Sequence, residues 1–348
     1  MVSFVSEDAP SAGSAGAIDP VGRQEGARPE ARDDRRKGDE VPLRAGEAPL
    51  RVQRAGFVSL VGRPNSGKST LLNRLVGEKL AIVSARPQTT RNRITGIRNL
   101  PGAQVVFVDT PGLHTPSGKL GAFMRRTVER ALEDVDLVCV VADVTEDGHP
   151  DAEMLEMLGG HRGPTYCVLN KVDRLRAKAR LLPLIGAWQA SGRFQEIVPV
   201  SALDGTNTDH LLALIVAALP AHPSFFPPDA TSDQPETFYV GEVIREKIFL
   251  LTHEEVPYAV AVRVEELTER AVPEALYIRA TIFVERDSQK GIVIGRGGGL
   301  LKRIGTAARR DLEAFFGIKV YLALTVQVRR RWRKDARALR EFGFLMTS

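Results

Sequence analysis

The chain has 348 residues, of which 43% are apolar and 26% charged, with a formal net charge of +5 and two cysteines. That length suits about two domains, each able to bury its own core. No apolar run approaches the ~20 residues of a membrane-spanning helix; the longest, Leu211 to Leu219, has nine. Cys139 and Cys167 sit in separate apolar runs without a Cys or His at metal spacing, which excludes a disulfide framework or zinc site and suits core positions in a reducing cytosol. A soluble, cytoplasmic protein is expected, peripheral at a membrane at most.

Residues 1–54 are rich in Gly, Ala, Pro, Asp, Glu and Arg, with Phe4 as their sole aromatic, and are expected to be a disordered tail. They carry no basic start followed by an apolar core, so they do not read as a signal peptide.

The first ordered unit, expected over 55–220, opens on Phe57 to Val61, an apolar run of buried-strand length. Gly62-Arg63-Pro64-Asn65-Ser66-Gly67-Lys68-Ser69-Thr70 follows and fills G-x-x-x-x-G-K-[ST] without a mismatch; Leu71 to Val76 then has helical spacing. Strand, loop and helix are the context in which backbone N–H groups and a helix N-terminus cradle phosphates. Lys68 is expected to reach the terminal phosphates and Ser69 to hold Mg²⁺.

Leu80 to Ile97 lacks a clear period and carries Pro87-Gln88-Thr89-Thr90-Arg91, a polar loop placed to answer a γ-phosphate. Thr90 is the first choice for a hydroxyl ligand of Mg²⁺ in the triphosphate state, and Thr89 the second. The strand Gln104 to Val108 ends at Asp109-Thr110-Pro111-Gly112, putting a carboxylate near Mg²⁺ and the Gly112 N–H near the γ-phosphate. A mobile loop over Leu113 to Lys119 and a helix over Leu120 to Leu132 are expected next.

Leu137 to Val141 and Thr165 to Leu169 are further strands, separated by a helix over Asp151 to Leu158. The alternation implies a mostly parallel sheet with ligands beyond the carboxyl ends of its strands. Asn170-Lys171-Val172-Asp173 stands at such an end. Asp173 can accept from guanine N1–H and the exocyclic amine, a donor pair that adenine lacks, so the base is read as guanine. The strand Ile197 to Val200 delivers Ser201-Ala202-Leu203 toward the guanine O6, and a helix over Thr208 to Leu219 closes the domain.

A proline-rich linker, expected over 221–236, leads to a second unit over 237–348. Its elements are a helix from Phe238 to Leu251, strands from Tyr258 to Glu265 and Ala275 to Glu285, a loop between two helices, and a closing strand from Lys319 to Val328. The loop, Ile294-Gly295-Arg296-Gly297-Gly298, is the G-x-x-G clamp of a KH domain, where a nucleic-acid backbone approaches closely and bases lie in an apolar groove. Ile292, Ile294 and Ile304 would line or support that groove, and Arg296, Lys302 and Arg303 would meet phosphates. From Arg286 to Arg340 there are 15 Lys or Arg against 4 Asp or Glu, a polyanion footprint. The fold class is therefore α/β: a P-loop GTPase domain with a mostly parallel sheet, followed by a smaller α+β KH domain.

From Gly56 onward these motifs, with Val284-Glu285-Arg286-Asp287-Ser288-Gln289-Lys290 before the glycine loop, resemble those of the Era family of bacterial ribosome-assembly GTPases. The resemblance implies that the second domain is a KH domain of type II; it also implies GTP and GDP as ligands, Mg²⁺, binding to the 3′ end of 16S ribosomal RNA in the GTP state, and a role in assembling the 30S subunit, with the protein a monomer. Leu113, where Ras-like proteins carry a water-positioning glutamine, implies slow intrinsic hydrolysis. Asn65 implies stimulation by a potassium ion. One competing reading is an RNA-binding assembly factor holding GTP as a structural ligand. Another is a membrane-peripheral GTPase, attached at the cytoplasmic face of the inner membrane through Arg329 to Phe344.

Overall fold

The structure, a computed structural model, describes residues 3–4, 53–84, 86, 89–112, 118–133, 135–146, 148–271 and 274–344. Strand β1 is Ser3–Phe4, and the rest of the expected tail up to residue 52 lies outside the described residues.

The first unit is a six-stranded sheet built from β2 (Arg54–Val61), β3 (Ile94–Leu100), β4 (Ala103–Asp109), β5 (Leu137–Asp143), β6 (Thr165–Asn170) and β7 (Glu196–Pro199). Its order is β3-β4-β2-β5-β6-β7, parallel except for β3, which pairs antiparallel to β4. Strands β4, β5 and β6 are buried at every position, as strands covered on both faces must be. Helices α1 (Lys68–Val76) and α5 (Thr208–Ala218) cover one face through Leu71, Leu72, Leu75, Leu211 and Ile215. Helices α2 (Gly118–Glu133), α3 (Ala152–Met157) and α4 (Leu181–Ala190) cover the other through Val128, Leu132, Met154 and Trp188. Cys139 and Cys167 are free, wholly buried core residues.

Three features depart from the sequence reading. The stretch expected to run irregularly to Ile97 becomes β3 at Ile94, and α4 appears between two expected strands. The linker does not run free. Gln104 accepts from the backbone N–H of Phe225 and Phe226 and donates to the Phe226 carbonyl, while Ile97 N–H donates to the Thr231 carbonyl at 2.8 Å. The segment is strapped along the β3–β4 edge.

The second unit begins with α6 (Glu236–Leu251), followed by β8 (Ala261–Ala271), β9 (Glu274–Val284), α7 (Asp287–Ile294), α8 (Gly299–Phe316), β10 (Lys319–Val328) and α9 (Ala336–Glu341). The sheet order is β1-β10-β9-β8, with β9 and β10 parallel. One sheet face packs on α6, α7 and α8 through Ile244, Ile282, Val293, Ile304 and Leu324. The opposite face, at Ala261 and Phe283, is covered by Trp332, Leu339 and Phe344 together with Leu120 and Met124 of α2.

This last cluster bears on the membrane reading of Arg329 to Phe344. Trp332 and Leu339 are fully buried, Phe344 is 6% exposed, and the Trp332 indole donates to the Ala259 carbonyl at 2.9 Å. The apolar residues of the segment are occupied at the junction of the two units. Among the described residues no helix is long and apolar enough to cross a membrane.

Candidate nucleotide site and KH loop

The carboxyl ends of β2, β4, β5 and β6 converge on a cavity of about 370 Å³ whose lining includes Asn65, Gly67, Lys68, Ser69, Thr70, Thr90, Gly112, Asn170, Lys171, Asp173, Ala202 and Leu203. The motifs that the sequence reading assigns to the nucleotide therefore meet at one place, although they span more than a hundred residues of chain.

The phosphate loop turns where side chains cannot follow. Gly67 has φ 97°, and a Cβ there would lie 2.2 Å from the Asn170 amide nitrogen. Asn65 also takes a left-handed φ of 62°, which Asn tolerates better than most residues. Gly62 and Ser66 complete the turn, and Ser66 lends its carbonyl to Asn170 Nδ2 at 2.8 Å. Lys68 Nζ donates to the Gly62 and Arg63 carbonyls at 3.1 and 2.9 Å. Burial lowers its pKa to about 8, with Asp109 pulling weakly the other way.

Three oxygens gather below Lys68. Ser69 Oγ lies 2.7 Å from Asp109 Oδ2 and 2.8 Å from Thr90 Oγ1, and Thr90 Oγ1 lies 3.2 Å from Asp109 Oδ2. Asp109 is wholly buried and its Oδ1 has no hydrogen-bond partner among the described residues. Burial raises its pKa against the opposing pull of Lys68, Ser69 and Thr90. A buried carboxylate with a free oxygen beside two hydroxyls fits a hard divalent cation such as Mg²⁺. Thr89, the second choice, bonds its hydroxyl to the Arg86 carbonyl instead.

At the other end of the cavity Asn170 braces two loops at once, donating to Ser66 and accepting from the Ala202 N–H at 3.0 Å. Ser201 Oγ donates to Asp173 Oδ1 at 2.7 Å, and Leu203, 65% exposed, stands at the mouth. Lys171 adopts φ 70° and pairs with Asp143 at 2.5 Å. Two supporting residues escaped the sequence reading. Asp143 caps β5 at the carboxyl end of the sheet, where strand position alone could have flagged it. Arg74 reaches from α1 to the Ala202 and Leu203 carbonyls, a contact that no local pattern announces. Leu113 lies outside the described residues.

The KH loop occupies the turn between α7 and α8. Gly295 has φ 74°, and a Cβ there would sit 2.8 Å from Leu300 N, so a larger residue would push the turn open. Arg296 to Gly298 form a single 3₁₀ turn, and Arg296, Gly297, Lys302 and Arg303 are exposed. Ile292 is exposed and Ile294 half-buried, whereas Ile304 is buried in the core and only supports the loop. Gln289 Oε1 accepts from the N–H groups of Glu285 and Arg286, fixing the start of α7.

Such a sheet, phosphate loop and guanine-reading loop define a P-loop GTPase, here joined to a KH domain. Residues 57–171 match the 50S ribosome-binding GTPase family and residues 255–333 the KH domain family. A GTPase Era from Geobacter metallireducens is 49% identical over 292 residues, 84% of this chain and 98% of that protein. The crystal structure of a single-residue variant of Aquifex aeolicus Era bound to GDP·AlF4⁻ matches with a TM-score of 0.81 and 38% identity, covering 84% of this chain and all of that one. Era in complex with MgGDPNP and nucleotides 1506–1542 of 16S ribosomal RNA matches with the same score, identity and coverage. The chain belongs to the Era family of GTPases.

Proposed function

We propose that the chain is a GTP-hydrolysing switch that binds the 3′ end of 16S ribosomal RNA through the Gly295–Gly298 loop and assists assembly of the 30S subunit. The observation that carries this reading is the pairing, in one chain, of the Ser69–Thr90–Asp109 oxygen cluster with an exposed G-x-x-G loop flanked by Arg296, Lys302 and Arg303. A relative of the same architecture has been crystallised with MgGDPNP and that RNA end.

In this reading Gly62 to Thr70 wrap the phosphates, and Lys68 exchanges its two loop carbonyls for terminal phosphate oxygens. Ser69, Thr90 and Asp109 hold Mg²⁺, which when bound neutralises charge between the β- and γ-phosphates. The Gly112 N–H meets the γ-phosphate, while Asn170, Lys171, Asp173, Ser201, Ala202 and Leu203 hold guanine. Hydrolysis is slow without assistance. Asn65, which takes a left-handed turn within the phosphate loop, is the residue assigned here to potassium as a second cation. Turnover should rise when potassium replaces sodium and lose that response in Asn65→Ala; equal rates in both salts for both proteins would end the potassium assignment. Single-turnover hydrolysis with and without the RNA separates a switch from an assembly factor that merely stores GTP.

The central test is crosslinking to a 16S 3′-end oligonucleotide with GDPNP or GDP bound. Gly295→Asp together with Gly298→Asp places two carboxylates against the backbone path. It should abolish crosslinking and leave GTP affinity unchanged. Loss of both activities would make the glycine loop structural and refute its RNA role.

A further inference from the structure

Thr90 is where the nucleotide site and the KH domain meet. Its hydroxyl faces Ser69 and Asp109, yet the residues around it are held by the other domain. Arg91, 2% exposed, donates to the carbonyls of Val260, Pro257 and Tyr258 at 2.7, 3.1 and 3.1 Å. The Thr89 carbonyl accepts from Arg245, also 2% exposed, which leaves α6 paired with Glu242. Arg86 donates to the Phe249 and Thr252 carbonyls at 2.8 and 2.5 Å.

A buried guanidinium is tolerated only where its fork of donors finds acceptors in a fixed geometry. Arg91 has three backbone acceptors in the turn before β8, so a small shift of that turn breaks several charge-assisted bonds together. Arg91 and Arg245 both lie over the Phe249 ring, at 5.8 and 5.3 Å.

We propose that Arg91 and Arg245 are positioning residues through which the KH domain holds Thr90 at the Mg²⁺ position, making that domain a built-in part of the GTP site. The inference rests on the assignment of Thr90 given above. GDP lacks the γ-phosphate to which the Thr90 loop responds, so the support acts on GTP and not on GDP. By reciprocity, an RNA that favours this arrangement of the turn before β8 tightens GTP by the same factor by which GTP tightens RNA.

The experiment is calorimetry on the full chain with GDPNP and with GDP, over a range of Mg²⁺ concentrations, for wild type, Thr90→Ala, Arg91→Gln and Arg245→Gln. Thr90→Ala and Arg91→Gln should each weaken Mg·GDPNP by about tenfold or more, while GDP affinity stays within about twofold. Both should also raise the Mg²⁺ concentration needed for half-saturation with GDPNP. Arg245→Gln should show the same selectivity with a smaller loss, and it decides the matter if Arg91→Gln does not fold. Wild-type binding by the arginine variants, or equal losses of GDP and GDPNP, overturns the inference while leaving Thr90 in place. If Thr90→Ala binds Mg·GDPNP normally, the Thr90 assignment itself has failed and the inference falls with it.

Discussion

Lys68 rests on two carbonyls of its own loop, with Asp109 as the carboxylate that acts on its charge. Its ordinary value of 10.5 falls to about 8 because burial disfavours the charged form. Below about pH 8 the folded chain bears the cost of keeping a desolvated ammonium, and between about 8 and 10.5 it binds fewer protons than the unfolded chain, so its stability rises with pH there. In the proposed function a bound triphosphate gives Lys68 an anionic partner, which would pull the value back up. Binding of Mg·GDPNP should therefore take up almost no proton at about pH 7 and approach one at about pH 9.5, with affinity falling over that range. Calorimetry in buffers of different ionisation enthalpy reads the uptake directly; proton release at the higher pH would contradict it. The residues themselves were legible from sequence because Lys68, Asp109 and Asp173 belong to contiguous motifs with fixed spacing. The hydrogen bonds that support them were not, since Asn170 braces Ser66 from 104 positions away.

Elements were legible in proportion to their burial. Strands β4, β5 and β6 are wholly buried and read as apolar runs, and their ends fall within a residue or two of the expected ones. Strand β3, Ile-Thr-Gly-Ile-Arg-Asn-Leu, is an edge strand: its last three positions are half-exposed and Gly96 sits where Leu72, Val76 and Leu80 pack closely. Neither alternation nor a continuous apolar run marks it. Helix α4 hides for a related reason, since Leu182 is 71% exposed and Pro183 and Gly186 interrupt the pattern, leaving Trp188 as its one buried anchor. In the KH domain β8 begins at Ala261 instead of Tyr258 because Pro257 opens a 3₁₀ turn there. That turn supplies the carbonyls that receive Arg91, so the misplaced boundary and the unforeseen interdomain contact share one cause.

At the scale of the whole molecule the two domains are joined by more than the strap along β3 and β4. Lys79, just past α1, bridges Glu246 Oε2 at 2.7 Å and Asp311 Oδ2 at 2.9 Å, and Lys247 bridges the same two oxygens at 2.8 and 2.5 Å. The four charges alternate in a closed ring that ties the G domain to α6 and to α8, the helix that begins at the KH loop. An isolated surface pair would contribute little, but here Glu246 is 3% exposed and each charge has two opposite partners. Burial pushes the Asp311 carboxyl up, and the hydrogen bonds from Lys247 and Lys79 outweigh it, so its pKa ends below the ordinary value of 3.8. For a carboxylate held low, the linked stability is fully present above the unfolded value and is lost as pH falls through the folded one. The gap in urea midpoint between wild type and Asp311→Asn should therefore be widest near about pH 6 and narrow as the pH is lowered past the ordinary carboxylate value, as wild-type Asp311 takes up its own proton. A gap that stays constant across that range would mean the substitution acts through packing of α8 and that the ring does not couple the domains.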